Sequence, residues 1–482
     1  MRQRLAVVDP GIETDRSSLA HLRELATQAF SRTAGAPLVA RNRIRLLADA
    51  GENYPAWLDA IRAARRHVHV EMYFIEDDRV GSEFAQALAA KAREGVAVRL
   101  VYDWMGNFGR ASWRFWEALR TAGVDVRCYN PPRLSSPLGW LFRNHRKMLA
   151  VDGDVAFITG LCIGAQWIGD AALGTDAWRD TGVEIRGPAV AQVERAFADT
   201  WAYLDAPDPG IEVTPLPAGE VSLRIVASEP ATAGMLRLDQ LVAALARSRL
   251  WITDAYYAGT PSYIQALRAA AHDGVDVRML LPHSSDLPVV RALSRAGYRP
   301  LLEAGVRVFE WNGTMLHAKT AVADGHWARV GSTNLNVASW FGNRELDAVV
   351  EDDAFARQME ESYLHDLGNA TEVVLDARRK PFVAREAHHP RGTGGTTGSA
   401  TAAAAGAVRI GNAVGAALAD RRALGPAEAR LAFAAGALLL GFAVLFAVFP
   451  LALALPLIVL AGWGGLALLF RAWSLYRSRD RS

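Results

Sequence analysis

"HVHVEMYFIEDDRVGSEFAQALAAKAREGVAVRLVYD", residues 67–103, decides the fold class. "HVEMYF" is rich in β formers, "FAQALAAKARE" spaces its apolar residues as a helix does, and "GVAVRLVYD" alternates. Strand, amphipathic helix and strand in that order form a β-α-β unit with parallel strands. The pattern returns in "LWITDAYYAGTPSYIQALRAAAHDGVDVRMLLP", residues 250–282, where "QALRAAAHDGVDVRML" lies over "QALAAKAREGVAVRLV". Further upstream, "IRLLADAGENYPAWLDAIRAARRHVHVE" parallels "LRIVASEPATAGMLRLDQLVAALARSRLWITD". The chain therefore reads as a duplicated α/β unit, with its boundary in "DAPDPGIEVTPLPAGE" near residues 205–220.

Each repeat is followed by a second shared element: "NHRKMLAVDGDVAFITG" at residues 144–160 and "LHAKTAVADGHWARVGSTN" at 316–334. Read as strands, these put His145 and Lys147 on one face, and His317 and Lys319 likewise. If the two copies pack face to face, two imidazoles and two ammonium groups surround one small volume. That suits an anionic tetrahedral centre such as phosphate. The lysines balance its charge, one imidazole attacks phosphorus, and the other protonates the leaving oxygen. No metal is needed for this chemistry, and the sequence has no HExxH helix or clustered Cys/His set.

Other residues complete the constellation. Ser332 and Asn334 of "GSTN" offer hydroxyl and amide donors to phosphate oxygens. Asp180 in "WRDTGVEI" and Glu345 in "NRELDAVV" could each hold an imidazole N–H and set its tautomer. Asp152 and Asp324 lie an odd number of residues past their lysines, so a continuous strand would turn them away from the phosphate, toward strand-end or turn-organising roles.

These stretches resemble the paired HxKxxxxD motifs of the phospholipase D superfamily. The flanking "EMYFIEDDRVGSEFAQALAAKAREGV" and "GHWARVGSTNLNVASWFGNRELD" are similar to its bacterial cardiolipin synthase branch, over residues 40–370 or so. The resemblance implies two α/β/α sandwich domains about a pseudo-twofold axis, with no cofactor. Implied too is phosphatidyl transfer through a phosphohistidine, with His145 as nucleophile and His317 as general acid/base, or the reverse. The catalytic set carried over is His145, Lys147, Asp152, His317, Lys319 and Asp324, joined by Asp180 and Glu345. One departure stands out: where the family motif continues Gly-Gly-Leu-Asn, this chain has Thr159-Gly160-Leu161-Cys162. A cysteine is a weak donor, better suited as a small buried filler. The rival activities are hydrolysis of phospholipid to phosphatidic acid, and catalytically degenerate lipid binding.

Composition points to lipid as well. The formal net charge is only +2 over 482 residues, which supplies no basic track for nucleic acid. With Cys128 and Cys162 alone there is no disulfide framework, in keeping with a reducing compartment. The first residues, "MRQRLAVVDPGIETD", hold too short an apolar run for a secretory signal, so the catalytic part is expected on the cytoplasmic side. Residues 431–470 lack any charge, enough for roughly 60 Å of helix against a hydrocarbon core of roughly 30 Å, with arginines on both flanks. That predicts a transmembrane hairpin, here at the C-terminal side where many cardiolipin synthases carry theirs at the N-terminal side. The loop "NPPRLSSPLGWLFRNH" adds Leu134, Leu138, Trp140, Leu141 and Phe142 among arginines, as an interfacial acyl-chain access would.

The expected organisation is an N-terminal helical segment (1–40), two catalytic units (41–207 and 217–375), a Gly/Thr/Ala-rich linker (376–425) and the hairpin (426–472). The expected setting is a bacterial inner membrane. The expected substrates are phospholipids, phosphatidylglycerol and possibly phosphatidylethanolamine, with no nucleic acid; the sequence leaves the oligomeric state open.

Overall fold

The structure, a computed structural model, describes residues 27–133, 139–170, 174–207, 209–210 and 215–375, with Leu25, the backbone of 381–383 and scattered positions between 437 and 469. Its first half supplies β1 (Val39–Ala48), β2 (His67–Met72), β3 (Ala97–Asp103), β4 (Asp125–Tyr129), β5 (Arg143–Asn144), β6 (Met148–Val151), β7 (Val155–Thr159) and β8 (Thr181–Arg186). Its second half supplies β9 (Val221–Ser228), β10 (Arg249–Thr253), β11 (Asp276–Pro282), β12 (Arg307–Trp311), β13 (Thr320–Ala323), β14 (Trp327–Gly331), β15 (Asn343–Glu351), β16 (Ala370–Leu375) and β17 (Pro381–Val383).

The first sheet runs β4-β3-β2-β6-β7-β8-β1, parallel across β4, β3 and β2 and antiparallel thereafter. The second runs β12-β11-β10-β13-β14-β15-β9 with the same directions, and β16 and β17 extend its β12 edge. The strand order of the first is thus repeated in the second. A short antiparallel contact between β1 and β9, Val39 opposite Leu223 and Asn42 opposite Val221, joins the two.

Sequence explains the layers. Asp78 caps the helix Arg79–Arg93 by accepting the Gly81 N–H. Val80, Phe84 and Leu88 recur every fourth residue and are buried, while Lys91 and Arg93 sit in the last turn, where the helix dipole favours cations. With Asp49–Ala63 and Trp113–Thr121 this helix covers the outer face of the first sheet. Helices Gly234–Leu245 and Pro261–His272 do the same for the second. Val190–Tyr203 and Asp353–Leu367 share the core between the two sheets with the inner strand faces.

Two expectations change. Residues 145–147 and 317–319 carry no regular strand; they are the irregular stretches just before β6 and β13. Their backbone is engaged across the molecule instead: the His145 N–H donates to the Arg344 carbonyl at 2.9 Å and the His317 N–H to the Arg179 carbonyl at 2.7 Å. At the other end, helix occupies residues 27–34, but residues 39–48 form β1, so the N-terminal segment is not helical throughout. Most of the predicted hairpin lies outside the described residues, as does the predicted 376–425 linker apart from 381–383, which form β17. Among the described residues no helix is long and apolar enough to cross a membrane.

Candidate active site

Each motif histidine follows a short extended stretch of its own half that pairs with a segment of the other half. β5 pairs in parallel with the start of β15, Asn144 opposite Arg344. A single parallel bridge between Arg179 and Leu316 repeats the arrangement on the other side. Each bridge sets a histidine beside the carboxylate that follows the bridging arginine.

The result is two crossed dyads. His145 Nδ1 lies 2.9 and 3.0 Å from the carboxylate oxygens of Glu345. His317 Nδ1 lies 2.7 Å from Oδ2 of Asp180. An ionised carboxylate only accepts hydrogen bonds, so each ring carries its proton on Nδ1 and keeps a lone pair on Nε2. Burial would raise the pKa of both acids, but the adjoining histidine and lysine outweigh it and hold Glu345 and Asp180 below the usual carboxylate range.

Further partners fix these acids. Ser332 Oγ donates to Glu345 at 2.6 Å and Asn343 Nδ2 donates at 3.0 Å. On the other side the Trp167 indole donates to Asp180 at 3.1 Å, and the Thr181 N–H donates at 2.8 Å. A Cβ on Gly160 would run into the Asp180 carboxylate, so this close approach requires glycine.

The lysines are buried beside the histidines. Lys147 Nζ donates to the His145 carbonyl at 2.6 Å, and Lys319 Nζ donates to the His317 carbonyl. Lys319 Nζ is also 2.9 Å from His317 Nδ1, but that nitrogen's proton is committed to Asp180, so the ammonium acts there through its charge. Burial lowers both lysines, Lys319 to about 8. Burial also pushes His145 down to about 4 and His317 to about 3; nearby lysines add to it and the carboxylates oppose it. Lys319 acts on His145 and Lys147 on His317, so the two dyads lie within electrostatic reach of one another. Tyr73 sits edge-on to His145 with centroids 4.9 Å apart, and Trp167 edge-on to His317 at 5.5 Å.

Asp152 and Asp324 stand elsewhere. The Asp152 carboxylate accepts the N–H groups of Arg65, Arg66 and His67 at 2.7–2.8 Å, and Asp324 those of Arg247, Ser248 and Arg249 at 2.8–3.0 Å. Both have left-handed backbones, φ 56° and 51°, in the turns after β6 and β13. They knit those turns to the starts of β2 and β10 and touch neither dyad.

Ser332 serves Glu345, which differs from the phosphate contact expected of it. Its hydroxyl is spent on that carboxylate and it accepts the Leu346 N–H at 2.9 Å. Asn334 is buried, and its carboxamide oxygen has no hydrogen bond. Cys162 is fully buried in the outer core of the first half, and burial raises its thiol pKa. Sequence reasoning passed over Arg179 and Arg344, whose carbonyls hold the histidines. The signal was present: each immediately precedes its acid, in "WRD" and "NRE".

A protein-family profile described as cardiolipin synthase, phospholipase D-like domain, matches residues 57–201 and 242–367. Among curated relatives, the cardiolipin synthase of Alkalihalophilus pseudofirmus is 31% identical over 362 residues, covering 72% of this chain and 71% of its own. Cardiolipin synthase A of Pseudomonas aeruginosa is 34% identical over 363 residues, 73% of this chain and 72% of its own. Among solved structures, phosphatidylserine synthase of Haemophilus influenzae shares the fold with a TM-score of 0.57 at 15% identity, covering 72% of this chain and 91% of that one.

Proposed function

The chain belongs to the cardiolipin synthase family of phospholipase D-like proteins, and we propose that it is a phosphatidyltransferase working through a phosphohistidine. The observation that carries this reading is the pair of crossed dyads, each presenting a bare Nε2 backed by a buried carboxylate. In the first step the Nε2 of one histidine, assigned as His145, attacks phosphorus of the donor diester. The bond to the leaving glycerol oxygen breaks, and that oxygen takes a proton from His317. Glu345 and Asp180 stabilise the positive imidazoles that form, and Lys147 and Lys319 offset the charge of the phosphoryl oxygens.

In the second step His317, now neutral, removes the proton of an acceptor hydroxyl. That oxygen attacks phosphorus and releases His145. Since both rings are neutral in the free site, the acid acquires its proton together with the anionic diester, whose charge raises its pKa. Asn334 is assigned to a phosphate oxygen.

The acceptor is assigned as phosphatidylglycerol, whose headgroup hydroxyl attacks, and the donor as a second phosphatidylglycerol, which releases glycerol, or phosphatidylethanolamine, which would release ethanolamine instead. The setting assigned is a bacterial inner membrane, held by the apolar run at 431–470, with the two duplicated halves on the cytoplasmic side about a pseudo-twofold axis.

The deciding experiment incubates the purified chain with phosphatidylglycerol vesicles, alone and with phosphatidylethanolamine, followed by thin-layer chromatography and mass spectrometry. Cardiolipin with released glycerol is expected. Phosphatidic acid as sole product would make the enzyme a hydrolase, and no turnover by folded protein would reject catalysis.

A further inference from the structure

Away from the dyads, the start of β2 and the helix Val190–Tyr203 bring together His67, His69 and Glu194. His67 Nε2 lies 2.8 Å from one carboxylate oxygen of Glu194, and His69 Nδ1 lies 2.6 Å from the other. The imidazoles are stacked with centroids 4.5 Å apart. One donor atom from each side chain falls within 4.8 Å of the others. The side chains of His69 and Glu194 are 0% and 1% exposed and that of His67 is 14% exposed, so the cluster opens to solvent only beside His67.

The second half of the molecule provides an internal comparison. Asp152 accepts the His67 N–H and Asp324 accepts the Arg249 N–H, which makes Arg249 the counterpart of His67. Glu360, on the equivalent helix Asp353–Leu367, is the counterpart of Glu194 and lies 2.8 Å from Arg249 Nε. Trp251 stands where His69 stands, since they pair with Arg278 and Arg99 at matching positions of the neighbouring strands. In the second half, then, a permanently charged guanidinium sits on the carboxylate. In the first half the same place holds two imidazoles, whose neutral forms are lone-pair donors.

We propose that His67, His69 and Glu194 bind a divalent transition-metal ion of the zinc type through one nitrogen of each ring and the carboxylate, with water from the His67 side as fourth ligand. The ion supplies the charge that Arg249 supplies to Glu360. Ligand bonds of about 2.0–2.2 Å set tetrahedral donor atoms roughly 3.3–3.5 Å apart, so the present nitrogen–oxygen contacts must open by about 0.5–0.9 Å. Each neutral ring keeps its single proton, moved from the ligating nitrogen to the other one. Arg99 bears on this exchange: its Nη1 lies 3.0 Å from His69 Nε2 and, being only partly buried, turns toward solvent once that nitrogen is protonated. The site ties the beginning of β2 to Val190–Tyr203, and just beyond the far end of β2 stands Tyr73, the ring against His145.

The test is independent of lipid turnover. The full-length chain in detergent is stripped with chelator, loaded with Zn²⁺ or Co²⁺, dialysed and analysed for metal, and the cobalt form is read by its ligand-field absorption. One zinc per chain is expected, with four-coordinate cobalt bands. His67→Gln and Glu194→Gln should each weaken binding by about tenfold or more, while Arg99→Gln should tighten it. His317→Asn should leave it unchanged, which separates this site from the catalytic histidines. His67 is partly exposed, so His67→Gln reports on binding even if Glu194→Gln fails to fold. Zinc at background level in the wild-type chain, or zinc retained equally by His67→Gln, would overturn the proposal.

Discussion

His145 and Glu345, 200 residues apart in sequence, meet through Nδ1 at 2.9 Å, and the same histidine's backbone N–H is held at 2.9 Å by Arg344, the residue before that glutamate. Asp180 and Arg179 treat His317 in the same way. Ring and backbone are fixed by one dipeptide from the opposite half, so the direction of each Nε2 is set by how the halves pack rather than by either motif alone.

Replacing the carboxylates by amides tests that arrangement. Glu345→Gln and Asp180→Asn keep the shape but offer a donor as readily as an acceptor, which permits the wrong tautomer. Each should lower kcat by about 10²–10⁴-fold with KM little changed. Wild-type kcat in either variant would remove that carboxylate from the mechanism.

The pH dependence follows from the neutral imidazoles. The acid limb of kcat/KM should fall near pH 4, the value for His145, and not near the 6.5 of a free histidine. Stability carries the same signature. The unfolded rings take up protons near pH 6.5, whereas the folded ones wait until about 4 and about 3. The contribution is therefore complete above pH 6.5 and is lost as pH falls toward 4, each unit costing about 1.4 kcal/mol per ring. Thermal melts across that range should show the slope, reduced in His145→Gln.

Lys319 sets the alkaline side. With its pKa lowered to about 8, it gives up its charge as pH rises through that value, and KM for an anionic lipid should climb. In Lys319→Arg the charge persists, so the climb should disappear even though the bulkier planar guanidinium, replacing a compact buried ammonium, lowers kcat. A climb of unchanged position in the arginine variant would assign it to another group.

Asp152 and Asp324 should behave as structural residues. Asp152→Ala removes the acceptor for three N–H groups, at a cost of about 1–3 kcal/mol, and places alanine at φ 56°. The melting temperature should drop while kcat per folded molecule holds. A fall in kcat at unchanged melting temperature would give the aspartate a direct part in catalysis.

Cys162 should be inert. Its thiol is fully buried and its pKa is raised, so iodoacetamide should leave it unmodified in the native chain and label it on unfolding. Rapid native labelling would make it a reactive group.

Much of this was legible in the sequence, for identifiable reasons. The β-α-β units were readable because Val80, Phe84 and Leu88 keep helical spacing and the flanking strands keep theirs. The repeat was readable because two copies of a pattern are rarer than one. Face alternation predicted strands through His145–Lys147 and His317–Lys319, yet their backbone bonds run to Arg344 and Arg179, and pairing over that distance leaves no mark on the alternation within the motif itself. The Ser332 hydroxyl looked free because its partner, Glu345, is 13 residues away. His67 and His69 looked like ordinary strand residues because Glu194 arrives from 127 and 125 residues further on.

The crossing of the dyads bears on how the chain tolerates being cut. A fragment ending near residue 215 contains His145 and Asp180 but neither of their partners, and the remainder contains His317 and Glu345 in the same predicament. Each fragment would be chemically mute. Mixed, they would regain both dyads together, so restored turnover would count reassembled interfaces one for one. A nick in the connecting stretch leaves every bond of the site intact. A lesion that merely loosens the contact between the sheets silences both histidines at once.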